Sequence, residues 1–252
     1  MIHKDRFEKA DGQFGTIVYS LGKEEEVCSY NEDLCVPLAS AGKIFIGLVI
    51  AERVEEGRIA WEQMLNNIAF DPKENSDILY PHLQKRTSLP LRTVVEVMLA
   101  CHDNYLAKNM VDQLGGWKAF NNKITSVYQS VNLTSDPFEY DNRGSLKDVF
   151  SAMLKIYNGY KLKPELYEPI VNGLVRQSEG LGDIPKEHYS HMSGGLPDLL
   201  LDTGILGQFT ESPYLYVIAG KDLPDRSEHH SADERVIDFL HEIYHEANKA
   251  TC

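Results

Sequence analysis

A chain of 252 residues, 42% of them hydrophobic and 25% charged, is long enough to bury a sizeable core. Its 25 basic and 38 acidic side chains leave a formal net charge of −13, which repels phosphate backbones and anionic lipid, so a nucleic-acid partner is not expected. Residues 1–8 are charged and lack an apolar run, so a cytoplasmic location is expected, or a secreted or periplasmic one if a leader has been removed; the longest apolar run, 44–51, is too short for a membrane span.

In chain order, strands come first. Residues 13–21 are rich in β-formers and end at Gly22-Lys23, and 26–30 reads as a second strand before the turn-like Asn31-Glu-Asp33. Residues 40–56 place apolar side chains at Ile44, Leu48, Ala51 and Val54, near helical spacing, and stop at Gly57. Segments 91–100 and 104–114 read as helices, the second ended by Gly115-Gly116. Segments 117–127, 145–158 and 164–177 are also expected to be helical, with Ser145 as an N-cap and Asp148 three residues on. After Gly180 come short β-rich runs, 188–193, 200–209 and 214–220, with turns at Pro197-Asp198 and 211–213. An amphipathic helix over 232–250 closes the chain. Strands at both ends and helices between them imply a single α+β domain. Its antiparallel sheet is built from 1–38 and 186–252, a helical lobe of 39–185 is inserted, and the cleft between lobes is the natural ligand site.

Four cysteines, Cys28, Cys35, Cys101 and Cys252, show no C-x-x-C spacing, so a zinc knuckle is not indicated. Cys28 and Cys35 could face each other across a hairpin; thiols in a reducing compartment are the favoured reading. His241, Glu242 and His245 carry the letters of H-E-x-x-H, but on a terminal helix without a third ligand they read as exposed polar residues, with a zinc hydrolase as the outside alternative. No metal or cofactor is expected.

Ser40-Ala-Gly-Lys43 is an S-x-x-K sequence at the start of an apolar helix. At i and i+3 the two side chains share a face. A lysine whose pKa is lowered by burial can take the serine proton. The motif alone is common, and an N-cap serine with a solvated lysine explains it equally.

The surroundings of the motif are more specific. The run from Leu38 to Gly57, Ser-x-x-Lys followed by an apolar helix and an acidic turn, resembles the nucleophile helix of class A β-lactamases and their penicillin-interacting bacterial relatives. The apolar helix leading to His102-Asp-Asn104, with Ala107, Asn109 and Gly115-Gly116 after it, is similar to that family's Ser-Asp-Asn region. His191-Met-Ser-Gly-Gly195, followed by Leu201-Asp-Thr-Gly-Ile205, resembles its Lys-Thr/Ser-Gly strand. The resemblance implies a β-lactamase-like fold and an acyl-enzyme on Ser40, with Lys43 as general base. Asp103 and Asn104 would order the cleft, Asn104 being alternatively an N-cap. Ser193 and Gly194 would line the opposite wall, with backbone N–H groups of Ser40 and of Gly195 or Leu196 as the oxyanion hole.

The departures matter as much. His102 stands at the serine position and is either a proton shuttle or a surface histidine. Met192 replaces the lysine that draws a substrate carboxylate, and His191 beside it faces the other side of the strand. A penicillin carboxylate should therefore bind weakly unless Arg226 or another cation substitutes. The family's deacylating glutamate has no counterpart in 133–142, where Asp136, Glu139 and Asp141 read as solvated loop acids. The expected activity is hydrolysis of a small-molecule or peptide-like ester or amide, with poor β-lactam turnover. The alternative is a catalytically degenerate relative serving as a penicillin-binding, sensor or ligand-binding domain. Oligomeric state is left open.

Overall fold

The structure is a computed structural model that describes residues 7–8, 10–177 and 180–249. The N-terminal strands are β1 (Gln13–Ser20), β2 (Glu25–Tyr30) and β3 (Cys35–Pro37). A 3-10 turn (Ala39–Gly42) leads into α1 (Lys43–Glu55). Then come β4 (Met64–Asn66), α2 (Ser76–Leu79), β5 (Ser88–Pro90), α3 (Leu91–Ala100), α4 (Asn104–Gln113) and α5 (Gly116–Thr125). β6 (Arg143–Ser145), α6 (Leu146–Leu162) and α7 (Pro164–Val175) complete the helical part. The chain returns through β7 (Tyr189–Leu196), β8 (Leu199–Leu206), β9 (Tyr214–Lys221) and α8 (Ser231–Lys249).

The main sheet is antiparallel in the order β2-β1-β9-β8-β7, so strands from both ends of the sequence meet at the β1–β9 pairing. Alternation along the strands gives the sheet two apolar faces. Met192, Leu201, Ile205, Leu215 and Val217 face the helices and join the larger core. Tyr189, Leu200, Leu206, Tyr216 and Ile218 face the other way and pack with Phe239, Leu240 and Ile243 of α8.

α1 is the centre of the helical lobe. Every residue from Lys43 to Ala51 is buried, and the helix contacts α3, α4, α5, α6 and α7. Burial on all sides over these nine residues is that of a core helix, so the single apolar stripe expected from its spacing understates it. The lysine that begins it is thereby taken out of water.

Several expectations are corrected. Ser40 is not in the first turn of α1 but in the 3-10 turn before it, and Ala39 just ahead has a left-handed φ of 46°. The strand expected over 200–209 stops at Leu206, because Gly207 turns with φ 110°. The pairings β3–β6 and β4–β5 and the short α2 were not foreseen, since three- or four-residue elements are too short to show a period. Cys28 is buried in β2 and Cys35 exposed in β3, with no disulfide among the described residues; Cys252 lies outside them. Among the described residues, no helix is long and apolar enough to cross a membrane.

Strand β7, at the edge of the sheet, packs directly on the Ser40 turn. A Cβ on Gly194 would lie 2.3 Å from the Leu38 carbonyl oxygen and 3.3 Å from both Ala39 Cβ and the Ala41 nitrogen. Only glycine lets the strand and turn approach this closely. Gly194→Ala is therefore expected to cost about 1–3 kcal/mol, read as a lowered denaturation midpoint with unchanged slope.

Candidate active site

The turn, α1 and the α3–α4 junction bring three side chains into one chain of hydrogen bonds. Lys43 Nζ donates to Ser40 Oγ at 3.0 Å and to Asn104 Oδ1 at 2.7 Å. Asn104 Nδ2 faces two carboxylates, Asp71 Oδ2 at 3.3 Å and Glu74 Oε1 at 3.4 Å. Ser40 is half-buried, whereas Lys43 is only 3% exposed.

The junction is built by Asp103. Its Oδ1 accepts the Leu106 N–H at 2.9 Å and so caps α4, and its Oδ2 accepts the Asp71 N–H at 3.0 Å. Asp103, not Asn104, is thus the N-cap. Asn104 becomes the first helical residue, with its amide free to bridge Lys43 to the acids. His102, just before the cap, has a left-handed φ of 57°, a strained conformation for a side-chain-bearing residue.

Charge and burial set the state of each group. Burial pulls the Lys43 amine down to about 8, opposed by the negative charges of Glu74, Asp103 and Asp71. Burial pushes the Glu74 carboxyl up, against the pull of Lys43. Asp103 is raised by burial too, opposed by its backbone N–H donors. Burial and the Lys43 charge take His102 down to about 4, so it is neutral at ordinary pH.

His102 Nε2 pairs with Gln177 Oε1 at 2.8 Å, while the Gln177 amide nitrogen bonds the Leu99 carbonyl at 2.9 Å and Met192 Sδ at 3.3 Å. Gln177 therefore ties the second and third motif regions together. Since its oxygen can only accept, the pairing puts the His102 proton on Nε2.

Beyond this lies a cleft walled by Lys73, Glu74, His102, Gln177, His191 and Ser193. Met192 is fully buried toward the helices. His191 lines the cleft from the edge strand but turns its ring to the face opposite Met192, with Nδ1 3.1 Å from Asp202 Oδ2. Asp202 also takes the Tyr189 hydroxyl at 3.1 Å and the Tyr216 hydroxyl at 2.5 Å, and is the cross-strand neighbour of Ser193. Arg226 does not replace the missing lysine. It pairs with Asp233 and donates to the Leu196 and Leu199 carbonyls at 3.2 and 2.7 Å. Gly195 lies beside it, where a Cβ would come 3.0 Å from Arg226 Nη1.

The residues singled out from the sequence thus divide. Ser40, Lys43 and Asn104 are bonded together, and Asp103 holds their scaffold. His102, His191 and Ser193 reach the cleft, Gly194 seats the strand, and Gly195 stands off. Asp136, Glu139 and Asp141 are exposed. A second hollow beside Lys43, walled by Asn104, Trp117, Thr134, Ser135, Pro137 and Asn142, carries none of these acids. Asp71, Glu74 and Gln177 were missed. Asp71-Pro-Lys-Glu74 lies in an irregular segment with no recognisable pattern, and only the fold carries it to Asn104. On α8, His241 Nε2 bonds the Leu181 carbonyl at 3.2 Å and pairs with Asp183 at 3.2 Å. Among the described residues no three or more His, Cys, Asp or Glu side chains converge on a metal position.

The model of the Beta-lactamase enzyme family matches residues 2–241. The chain belongs to this family, and its fold is that of class A β-lactamases. Among solved structures, PBP-A superposes with a TM-score of 0.80 at 19% identity, over 97% of this chain and 94% of PBP-A. A variant of PBP-A in an acyl-enzyme complex with penicillin G gives 0.79 at 20% identity, over 96% and 92%. A β-lactamase from Chitinophaga pinensis gives 0.80 at 17% identity, over 96% and 97%. No curated protein matches the sequence.

Asp103→Ala removes a helix cap and orphans the buried Asp71 N–H together. It is expected to cost about 2–4 kcal/mol by chemical denaturation, with Asp103→Asn recovering the part that comes from capping.

Proposed function

We propose that the protein is a serine hydrolase that cleaves an ester or amide through an acyl-enzyme on Ser40. The observation that carries this is the 3.0 Å hydrogen bond between Ser40 Oγ and a lysine amine buried deeply enough to be neutral in part near pH 8. Neutral Lys43 takes the Ser40 proton as Oγ bonds to the carbonyl carbon. The proton then passes to the leaving group, relayed by His102. Asn104 orients Lys43, and Asp103 fixes Asn104. The N–H groups of Ser40 and of Gly195 or Leu196 receive the developing oxyanion; β7, as an edge strand, leaves alternate N–H groups without a sheet partner. His191, Ser193 and Gly194 form the opposite wall. Acylation of a PBP-A variant by penicillin G is the closest chemical analogy among the fold neighbours named above.

The substrate is best read as neutral or cationic at the end that lies along β7. Met192 stands where a lysine would attract a carboxylate, Asp202 lies opposite Ser193, and Arg226 is held by Asp233. Lys73, the lysine of the cleft wall, is exposed at the rim. β-Lactams, which carry a carboxylate, should turn over poorly. The buried Met192 also favours a second reading, a cleft that binds ligand without turnover.

Steady-state hydrolysis separates the readings. A p-nitrophenyl ester of a neutral acyl group should be cleaved with kcat/KM about tenfold or more above that for a chromogenic cephalosporin, and Ser40→Ala should abolish both. Because the base is unprotonated Lys43, kcat/KM should rise with pH through about 8. Equal turnover by Ser40→Ala, or a rate flat from pH 6 to pH 9 on this order-of-magnitude scale, contradicts the proposal; no turnover at all supports the binding reading.

A further inference from the structure

An acyl-enzyme is useful to a hydrolase only if water can be driven onto it, and that requires a base beside the acyl group. The loop hollow formed by 133–142 supplies none: its wall beside Lys43 and Asn104 carries Thr134, Ser135 and Asn142, and the loop acids are exposed. Three carboxylates that are not part of that hollow's wall act on Lys43. Two are already committed. Asp103 is 0% exposed and both its oxygens take backbone N–H groups. Asp71 is 4% exposed, with Oδ1 accepting the Lys73 N–H at 3.1 Å and Oδ2 holding Asn104.

Glu74 is different. It is half-buried, it lines the cleft together with His102 and Ser193, and among the described residues the hydrogen bonding of its carboxylate is confined to the 3.4 Å contact with Asn104 Nδ2. The turn carrying it is held at two points: the Glu74 N–H bonds the Asp71 carbonyl at 3.2 Å, and the Asp71 N–H bonds Asp103 Oδ2 at 3.0 Å. We propose that Glu74 is the general base of deacylation, supplied by the segment between β4 and α2 rather than by the loop 133–142. This rests on the Ser40 acylation reading.

In the step, the water oxygen bonds to the acyl carbon as one water proton passes to the Glu74 carboxylate. The tetrahedral species then collapses, breaking the bond from the acyl carbon to Ser40 Oγ. Glu74 passes the water proton through an intervening water to the neutral Lys43 amine, and the resulting ammonium protonates Oγ as it leaves. The products are the free acid and the serine hydroxyl, with water as the sole co-reactant. Burial raises the Glu74 carboxyl, which makes its carboxylate a better proton acceptor than one in water.

Burst kinetics with the p-nitrophenyl ester test this. The wild-type protein should release a burst of one nitrophenolate per Ser40, followed by a steady rate. Glu74→Gln should keep the burst within about threefold in rate, lose about 10²- to 10⁴-fold in the steady rate, and accumulate an acyl adduct visible in the intact mass. Glu74→Asp should recover part of the steady rate, which a purely structural loss would not do. Glu139→Gln, in the exposed loop, should behave as wild type, and unchanged melting temperatures should show that all variants fold. A Glu74→Gln protein that turns over within about threefold of wild type, or that loses the burst itself, overturns the assignment while leaving Ser40 as nucleophile. A wild-type burst with no steady rate overturns it as well. Absence of any burst or adduct in the wild type instead removes the acyl-enzyme reading on which the assignment stands.

Discussion

The structure turns on the burial of one amine. Lys43 begins a helix whose residues 43–51 are all buried, and it is removed from water at the centre of the helical lobe. An isolated ammonium there would be costly, and the fold offsets this in two ways. Ser40 Oγ and Asn104 Oδ1 accept its hydrogen bonds, and Asp71, Glu74 and Asp103 surround it with negative charge. Desolvation still wins over these charges, which leaves the amine easier to deprotonate than one in water. In the proposed mechanism, the arrangement that stabilises the buried lysine is also what lets it act as a base.

The neighbouring strain and close packing follow from that requirement. Ala39 adopts a left-handed backbone to bring Ser40 to the amine, His102 does so to set Asp103 and Asn104, and Gly194 lets the sheet edge close on the turn. Each is a locally unfavourable choice held in place by surrounding structure, a pattern that concentrates at functional sites. The charge balance also shapes what can enter. On the proposed reading, with acids around Lys43, Asp202 paired opposite Ser193 and Arg226 engaged by Asp233, the cleft offers little to an anionic substrate.

Much of this was legible in the sequence, for identifiable reasons. The α+β organisation followed from β-rich ends around a helical middle, and long elements such as α6 and α8 showed a clear period and, for α6, the Ser145 cap. Ser40, Lys43 and Asn104, which the structure bonds together, could be singled out because motif order survives even when single letters change. Glu74, Asp71 and Gln177 escaped because they sit in irregular segments and act only through long-range contacts: Glu74 lies 30 residues from Asn104, and Gln177 lies 75 from His102. The Ser40 turn was misread as helix because a 3-10 turn leading into an α-helix shares its apolar pattern. The role of Asp103 as cap was hidden by the adjacent asparagine, an equally good capping residue.

The central claim is that Ser40 is the nucleophile activated by Lys43. Labelling with a neutral fluorophosphonate, followed by peptide mapping, tests it most directly. One phosphonyl group per chain, located on Ser40 and absent from a Lys43→Met variant that still melts cooperatively, is the predicted result. A label on another residue, or no label on a folded wild-type protein, would contradict the account.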